Sequence, residues 1–290
     1  MKMISPVVLG LSLAVAGGTL AAAQDMMTAP SKVLEIQREF LKPGKAGMIH
    51  DKSESHFVAD FAKANYPTHY IALNSMSGKS RALYLVGYPS FDAWEKDEKA
   101  MQANPALSAA IDRDEVSDGD LLSDSDQAVL YYDEDMSYRP NADLAHDRYM
   151  EISVYKLKPG HQKDWEEASK LVIDATKKAG TSAHWAMYEI AYGGADEYVI
   201  FSGDKSMSDI DTGYAEGKKF NEAMGEEGMR KLDQLVQSSV DSADSELFEI
   251  NPRQSYPPED WVKANPEFWK PKPAMAAAAK SAAPQKKSMQ

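Results

Sequence analysis

Cysteine is absent from all 290 residues, which excludes disulfides, thiolate metal ligands and a lipid-modified N-terminal cysteine. A fold without such staples is held by its buried core alone. No His-x-x-x-His or His-Glu-x-x-His spacing occurs, so no preformed zinc site is predicted. A Gly-rich phosphate loop and a Gly-x-Ser-x-Gly elbow are also missing, which leaves nucleotide-cradling and serine-nucleophile chemistry without support. Positive charge is scarce. Lys and Arg number 32 against 45 Asp and Glu, a formal net charge of −13. Without Lys2 and the five lysines from Lys270 onward, the remainder carries about −19. Such a surface repels phosphate backbones and excludes nucleic acid as a partner, while favouring neutral or cationic ones.

The ends have their own composition. Lys2 precedes an apolar run from Ile4 to Leu20, and Ala21-Ala22-Ala23 offers the small residues that a signal peptidase requires. Residues 1–23 are predicted to be a signal peptide, giving a periplasmic or secreted protein with no membrane span after cleavage. Residues 24–32 read as a linker. At the other end, 259–269 carry Trp261, Phe268 and Trp269, an aromatic strap expected to pack across the folded body. Residues 270–290 are Ala, Lys, Pro and Ser with nothing to bury, and read as a disordered tail.

Between the ends the chain repeats itself. Leu41-Lys42-Pro43-Gly44 returns as Leu157-Lys158-Pro159-Gly160, each closing a strand-like run, Val33 to Leu41 and Tyr149 to Leu157. Glu35-Ile36 matches Glu151-Ile152, His69-Tyr70 matches His184-Trp185, and Ser137-Tyr138-Arg139-Pro140 matches Ser255-Tyr256-Pro257-Pro258. A fixed period of this kind predicts two copies of one unit, residues 33–140 and 149–258 with a linker at 141–148. In the second copy Trp165, Ala168, Val172, Ala175 and Ala179 form an apolar stripe at helical spacing, and Gly180 follows as a C-cap. Ile49, Ser53, Phe57, Phe61 and Ala64 repeat that stripe less cleanly in the first copy. Two runs around Ser77-Gly78-Lys79, and two around Gly193-Gly194, read as hairpins. Helical segments are expected at 91–103 and 105–116, then at 207–224 and 228–240, before last strands at 128–133 and 246–250.

The β-α-β-β-α-β order in each copy is the ferredoxin-like plan, an antiparallel sheet with helices on one face. The opening strand ending in Leu-Lys-Pro-Gly, the helix after it and the duplicated order resemble the dimeric α/β-barrel superfamily, including NIPSNAP-like proteins and antibiotic-biosynthesis monooxygenases. The resemblance spans Val33 to Pro258. It implies an α+β fold in which tandem ferredoxin-like units hide their bare sheet faces against each other, a single-chain, barrel-like pseudo-dimer. It also attaches haem binding to a histidine in some relatives, which here would be His69, His184 or His56.

Strand alternation nominates the site. Leu34, Ile36 and Phe40, with Met150, Ile152 and Val154, are expected to face the helices. Val33, Glu35, Gln37 and Glu39, with Tyr149, Glu151, Ser153 and Tyr155, are expected to line the space between the sheets. Glu35 and Glu151 are then candidate acid–base groups, and His69 and His184 candidate proton shuttles or ligands. Equally, each of the four could be a satisfied structural polar group. Tyr84, Tyr131, Tyr155, Trp185 and Tyr188 are the candidate aromatic lining of a ligand pocket. His50 and His56 lie six apart in the first helix, off a common face, and His161 reads as solvent-exposed. Asp112 to Asp126 lacks the EF-hand order and reads as a solvated acidic loop rather than a calcium site. Three functions follow. The first is an exported protein binding a small hydrophobic or aromatic molecule between its two sheets, and the second a cofactor-free or haem-using monooxygenase-type oxidoreductase. The third is an interaction module acting through its acidic surface. No particular cofactor is specified, and a homodimer stays open.

Overall fold

The computed structural model describes residues 29–140 and 143–270. The predicted signal peptide, most of the first linker, Asn141 and Ala142, and nearly all of the tail lie outside the described residues.

Eight antiparallel strands close into one barrel. In chain order they are β1 (Val33–Leu41), β2 (Tyr70–Ser75), β3 (Arg81–Tyr88), β4 (Leu122–Tyr138), β5 (Tyr149–Leu157), β6 (Trp185–Tyr192), β7 (Glu197–Asp204) and β8 (Val240–Ile250). Helices α1 (Met48–Ala64), α2 (Phe91–Gln102) and α3 (Pro105–Asp118) belong to the first half, and α4 (Gln162–Ala179) and α5 (Met207–Ser239) to the second. Two short helices, α6 (Glu259–Ala264) and α7 (Pro266–Trp269), finish the described chain. The strands run β1-β3-β2-β8-β5-β7-β6-β4 around the barrel. Each half therefore contributes a four-stranded sheet, and the β2–β8 and β6–β4 pairings join the two.

Local chemistry accounts for the element ends. Pro43 stops β1, and Gly44 turns the chain with φ 77°. Ser90 caps α2 by accepting from the Ala93 amide at 3.1 Å, and Asn104 caps α3 with Pro105 at its first position. A reciprocal Ser206–Asp209 capping box starts α5. The two helical segments expected at 207–224 and 228–240 are arms of this one element, broken at Gly225 with φ 71° and ψ 168°.

The barrel interior is an apolar core made of two side chains from every strand. These are Leu34 and Ile36, Ile71 and Leu73, Leu83 and Leu85, Ala128 and Leu130, Met150 and Ile152, Tyr188 and Ile190, Val199 and Phe201, Phe248 and Ile250. This reverses the predicted facing. Leu34, Ile36, Met150 and Ile152 point into the barrel, and the alternate set with Glu35, Gln37, Glu39, Glu151, Ser153 and Tyr155 points outward. The physical reason is the width of the barrel. Sixteen apolar strand side chains fill the interior, where a glutamate would lose its hydration without gaining a partner. Trp261 and Trp269, 1 % and 4 % exposed, join this core at one end of the barrel. Trp269 donates from Nε1 to the Ala145 carbonyl at 3.0 Å, and the Arg148 guanidinium lies 3.7 Å from the centre of the Phe268 ring. No helix among the described residues is long and apolar enough to cross a membrane.

Candidate functional site

The outer face of the second sheet and the two helices over it enclose a cleft of about 1350 Å³. Its floor is Tyr155 of β5, Trp185 and Met187 of β6, and Ile200 of β7; Trp165 and Val172 of α4 and Leu232 and Val236 of α5 form the walls. Aromatic rings interlock along it. Tyr155 and Trp165 are 4.8 Å apart, and Trp165 and Tyr198 5.7 Å. Gly213 and Gly217 of α5 border the open side, and a Cβ at either would meet nothing within 4 Å. The helix arm therefore stands off the sheet without filling the space.

Polar groups converge on one end of the cleft. Glu151, Ser153, Ser202, Asp204 and His184 line it, with Arg139 and Lys205 near acidic Asp143, Asp147 and Asp209. Asp204 is pushed up to about 6 by burial and then by repulsion from Glu151, with His184 acting in the opposite sense. Its Oδ2 has no hydrogen-bond partner, and neither does the Trp165 indole nitrogen. A donor and an acid are thus left unspent beside an aromatic slot.

The predicted site residues do not meet in one place. Glu35 lies under α2, where burial and the nearby charges of Glu98 and Asp97 raise its pKa. Glu151 lies in the second-half cleft, on the opposite sheet. Tyr155 and Trp185 line that same cleft. Tyr188 is in the barrel core, Tyr84 is buried against α1, and Tyr131 is 47 % exposed and stacked on Phe91. His69 and His184 do come together, at the same end of the barrel, around a pocket of about 110 Å³ that Trp261 also lines. His69 stacks on Tyr256 at 4.7 Å, and burial lowers its pKa, which keeps the ring neutral. His184 places Nε2 2.9 Å from the Gly203 carbonyl and Nδ1 3.3 Å from that of Ser182. Histidine-ligated haem does not fit these residues: the barrel-end pocket is too small for a porphyrin, and His184, the histidine lining the cleft, has both nitrogens turned to carbonyls. His56, the third histidine attached to that expectation, is exposed on α1.

One assembly escaped the sequence reading. His50 and Glu54 are the buried residues of α1, and their side chains meet Glu39 of β1 and Asp118 of α3. His50 Nε2 lies 3.2 Å from Glu39, 3.6 Å from Glu54 and 3.7 Å from Asp118. Asp118 is therefore not part of a solvated acidic loop; it ends a helix and is 2 % exposed. The signal was present in α1. Its expected apolar stripe was poor, and Ile49, which headed it, is 50 % exposed. The inward face runs instead through His50 and Glu54, four residues apart.

No family model matches the chain, and no curated protein matches it in sequence. Solved structures resemble it at low identity. A provisionally named monooxygenase from Fusobacterium nucleatum superposes with a TM-score of 0.50 at 12 % identity, over 76 % of this chain and 93 % of that one. An anthrone oxidase-like protein gives 0.48 at 12 % identity, over 77 % and 93 %. A cyanide-bound chlorite dismutase variant from Candidatus Nitrospira defluvii gives 0.46 at 11 %, over 83 % and 98 %. The first of these likenesses shows the fold alone, an antiparallel barrel flanked by helices.

Proposed function

We propose that the protein binds a small, flat, neutral or cationic aromatic molecule in the second-half cleft. The observation that carries this reading is the unfilled space of about 1350 Å³ between the sheet and α4–α5, walled by Tyr155, Trp165 and Trp185. An aromatic, apolar wall beside a strongly polar end gives a ligand both a surface to stack on and groups that orient it. The unpartnered Trp165 N–H supplies a donor, and the acidic end favours a cation over an anion. The test is quenching of tryptophan emission by a panel of aromatic amines, alcohols and acids, with mass spectrometry of what co-purifies. Saturable quenching by amines or neutral aromatics, weakened at least tenfold by Tyr155→Ala, is expected. Equal, unsaturable quenching across the panel sinks the reading.

A second reading, a cofactor-free oxidoreductase of the monooxygenase type, is favoured by Asp204. A carboxyl with its pKa near 6 suits a general base working near neutrality. Turnover would then follow an apparent pKa of about 6 that vanishes in Asp204→Asn. Kinship to NIPSNAP-like or antibiotic-biosynthesis proteins would enter with that activity.

The two halves are further read as copies of one unit closing a single-chain pseudo-dimer. Both sheets have the strand order fourth-first-third-second, and β1 and β5 end on the same Leu-Lys-Pro-Gly. Export rests on the composition of residues 1–23, and N-terminal sequencing of the mature protein checks it by finding Gln24 first. Homodimerisation and a partner on the acidic surface remain proposals for light scattering and cross-linking.

A further inference from the structure

The four side chains Glu39, His50, Glu54 and Asp118 are 6 %, 1 %, 4 % and 2 % exposed. Three acids thus share one buried volume, and among the described residues no lysine or arginine pairs with any of them. Neither the cleft nor the barrel-end pocket reaches them. Buried charge on this scale needs a compensating cation or bound protons.

The spacing of the four groups fits a bound cation. His50 Nε2 is 3.2, 3.6 and 3.7 Å from one oxygen of each acid, and all four ligand atoms lie within 4.8 Å of one another. With metal–ligand bonds of about 2.1 Å, neighbouring donors of a tetrahedral site stand about 3.4 Å apart. The nitrogen-to-oxygen separations bracket that value. Glu54 Oε1 and Asp118 Oδ1 have no hydrogen-bond partner. The Tyr84 hydroxyl, on a side chain 8 % exposed, faces Glu54 and is also unpartnered. Glu39 is oriented by Gln37, which donates from Nε2 to its Oε1 at 2.9 Å. Behind the ring, the Gln254 amide meets His50 Nδ1 at 3.2 Å and Asp51 at 3.0 Å, and its own Oε1 is unpartnered.

We propose that Glu39, His50, Glu54 and Asp118 form a closed site for one divalent first-row transition ion. Three carboxylates and an imidazole, with no sulfur, suit manganese, iron or zinc rather than a soft thiophilic ion. The site is enclosed on all sides, so the ion has a structural role. It ties the end of β1 and the helix that follows it, α1, to the last residue of α3, which lies beyond two further strands and a helix in the chain. In a chain without cysteine it serves where a disulfide otherwise would.

The experiment uses the whole mature chain, purified without chelator, analysed for metal by mass spectrometry, then stripped and reloaded separately with Mn²⁺, Fe²⁺ or Zn²⁺. One equivalent of one metal per chain is expected. Reloading at a hundredfold excess over Kd should raise the melting midpoint by about 5–10 °C. The double variant Glu54→Gln, Asp118→Asn keeps the shape and removes the charge repulsion, so it should fold, bind no ion and show no shift. A wild-type chain that purifies without metal and shows no shift with any of the three ions overturns the proposal, leaving bound protons as the compensation. A shift that persists in the double variant overturns it too, by placing the ion elsewhere.

Discussion

Asp204 is a carboxyl whose folded environment works against its charge. In the unfolded chain it titrates near the usual ~3.9, and in the fold at about 6. The native state therefore holds the proton longer. Between those two values rising pH favours unfolding, and the contribution is lost once pH passes about 6. Asp204→Asn removes that slope: relative to wild type the variant should gain stability between pH 4 and pH 7, read from urea midpoints at a series of pH values. A core position behaves differently. Leu73 is fully buried between β3 and β8, so Leu73→Ala should cost about 2–5 kcal/mol at any pH. Chemical denaturation with an unchanged m-value checks it.

Among the elements, α5 makes the sharpest prediction. Gly225 interrupts it with φ 71° and ψ 168°, a region that residues with a Cβ rarely enter. Gly225→Ala should cost about 1–3 kcal/mol, although an added Cβ there touches nothing. Gly217 lies within an arm of the same helix, without positive φ and with open space around it. Gly217→Ala should instead stabilise by about 0.5–1 kcal/mol, because alanine loses less backbone entropy than glycine in a helix. Opposite signs from two glycines eight residues apart, measured by urea denaturation, would establish the break as a required turn. If both variants lose stability, the arm is not a regular helix. The Lys178 amine donates to the Ala223 carbonyl at 2.8 Å, anchoring the break to the end of α4.

At the scale of the whole molecule, closure depends on two seams. At the β2–β8 seam Arg81 pairs with Glu246, its guanidinium lying 5.2 Å from the centre of the Phe248 ring. At the other, β6 pairs with β4 from Val129 to Tyr138. A half expressed alone exposes both of its edge strands and the bare face of its sheet. Residues 29–140 by themselves should therefore not be a stable monomer, and light scattering should find a dimer or aggregate. A folded monomeric half would mean that the shared core of sixteen strand side chains is not what stabilises the fold.

Much of this architecture was legible in the chain. The Leu-Lys-Pro-Gly repeat, the glycines of the hairpins and Gly180 act over a few neighbours, so with the apolar periodicity they located most strands and helices, though β4 and β8 run longer than their expected 128–133 and 246–250. The facing of the strands was not legible. Both alternate sets of β1 and β5 carry apolar residues, and only the closed barrel, filled by apolar side chains from all eight strands, decides that Leu34 and Ile36 go in while Glu35 and Glu39 go out. The carboxylate–histidine centre was hidden for a related reason. Glu39, the His50–Glu54 pair and Asp118 lie on three elements, and their distances follow from how α1 and α3 pack on the outer face of the sheet. Short-range steric and hydrogen-bonding rules are written in the sequence, whereas which polar groups share one buried volume is decided by the packing of the whole fold.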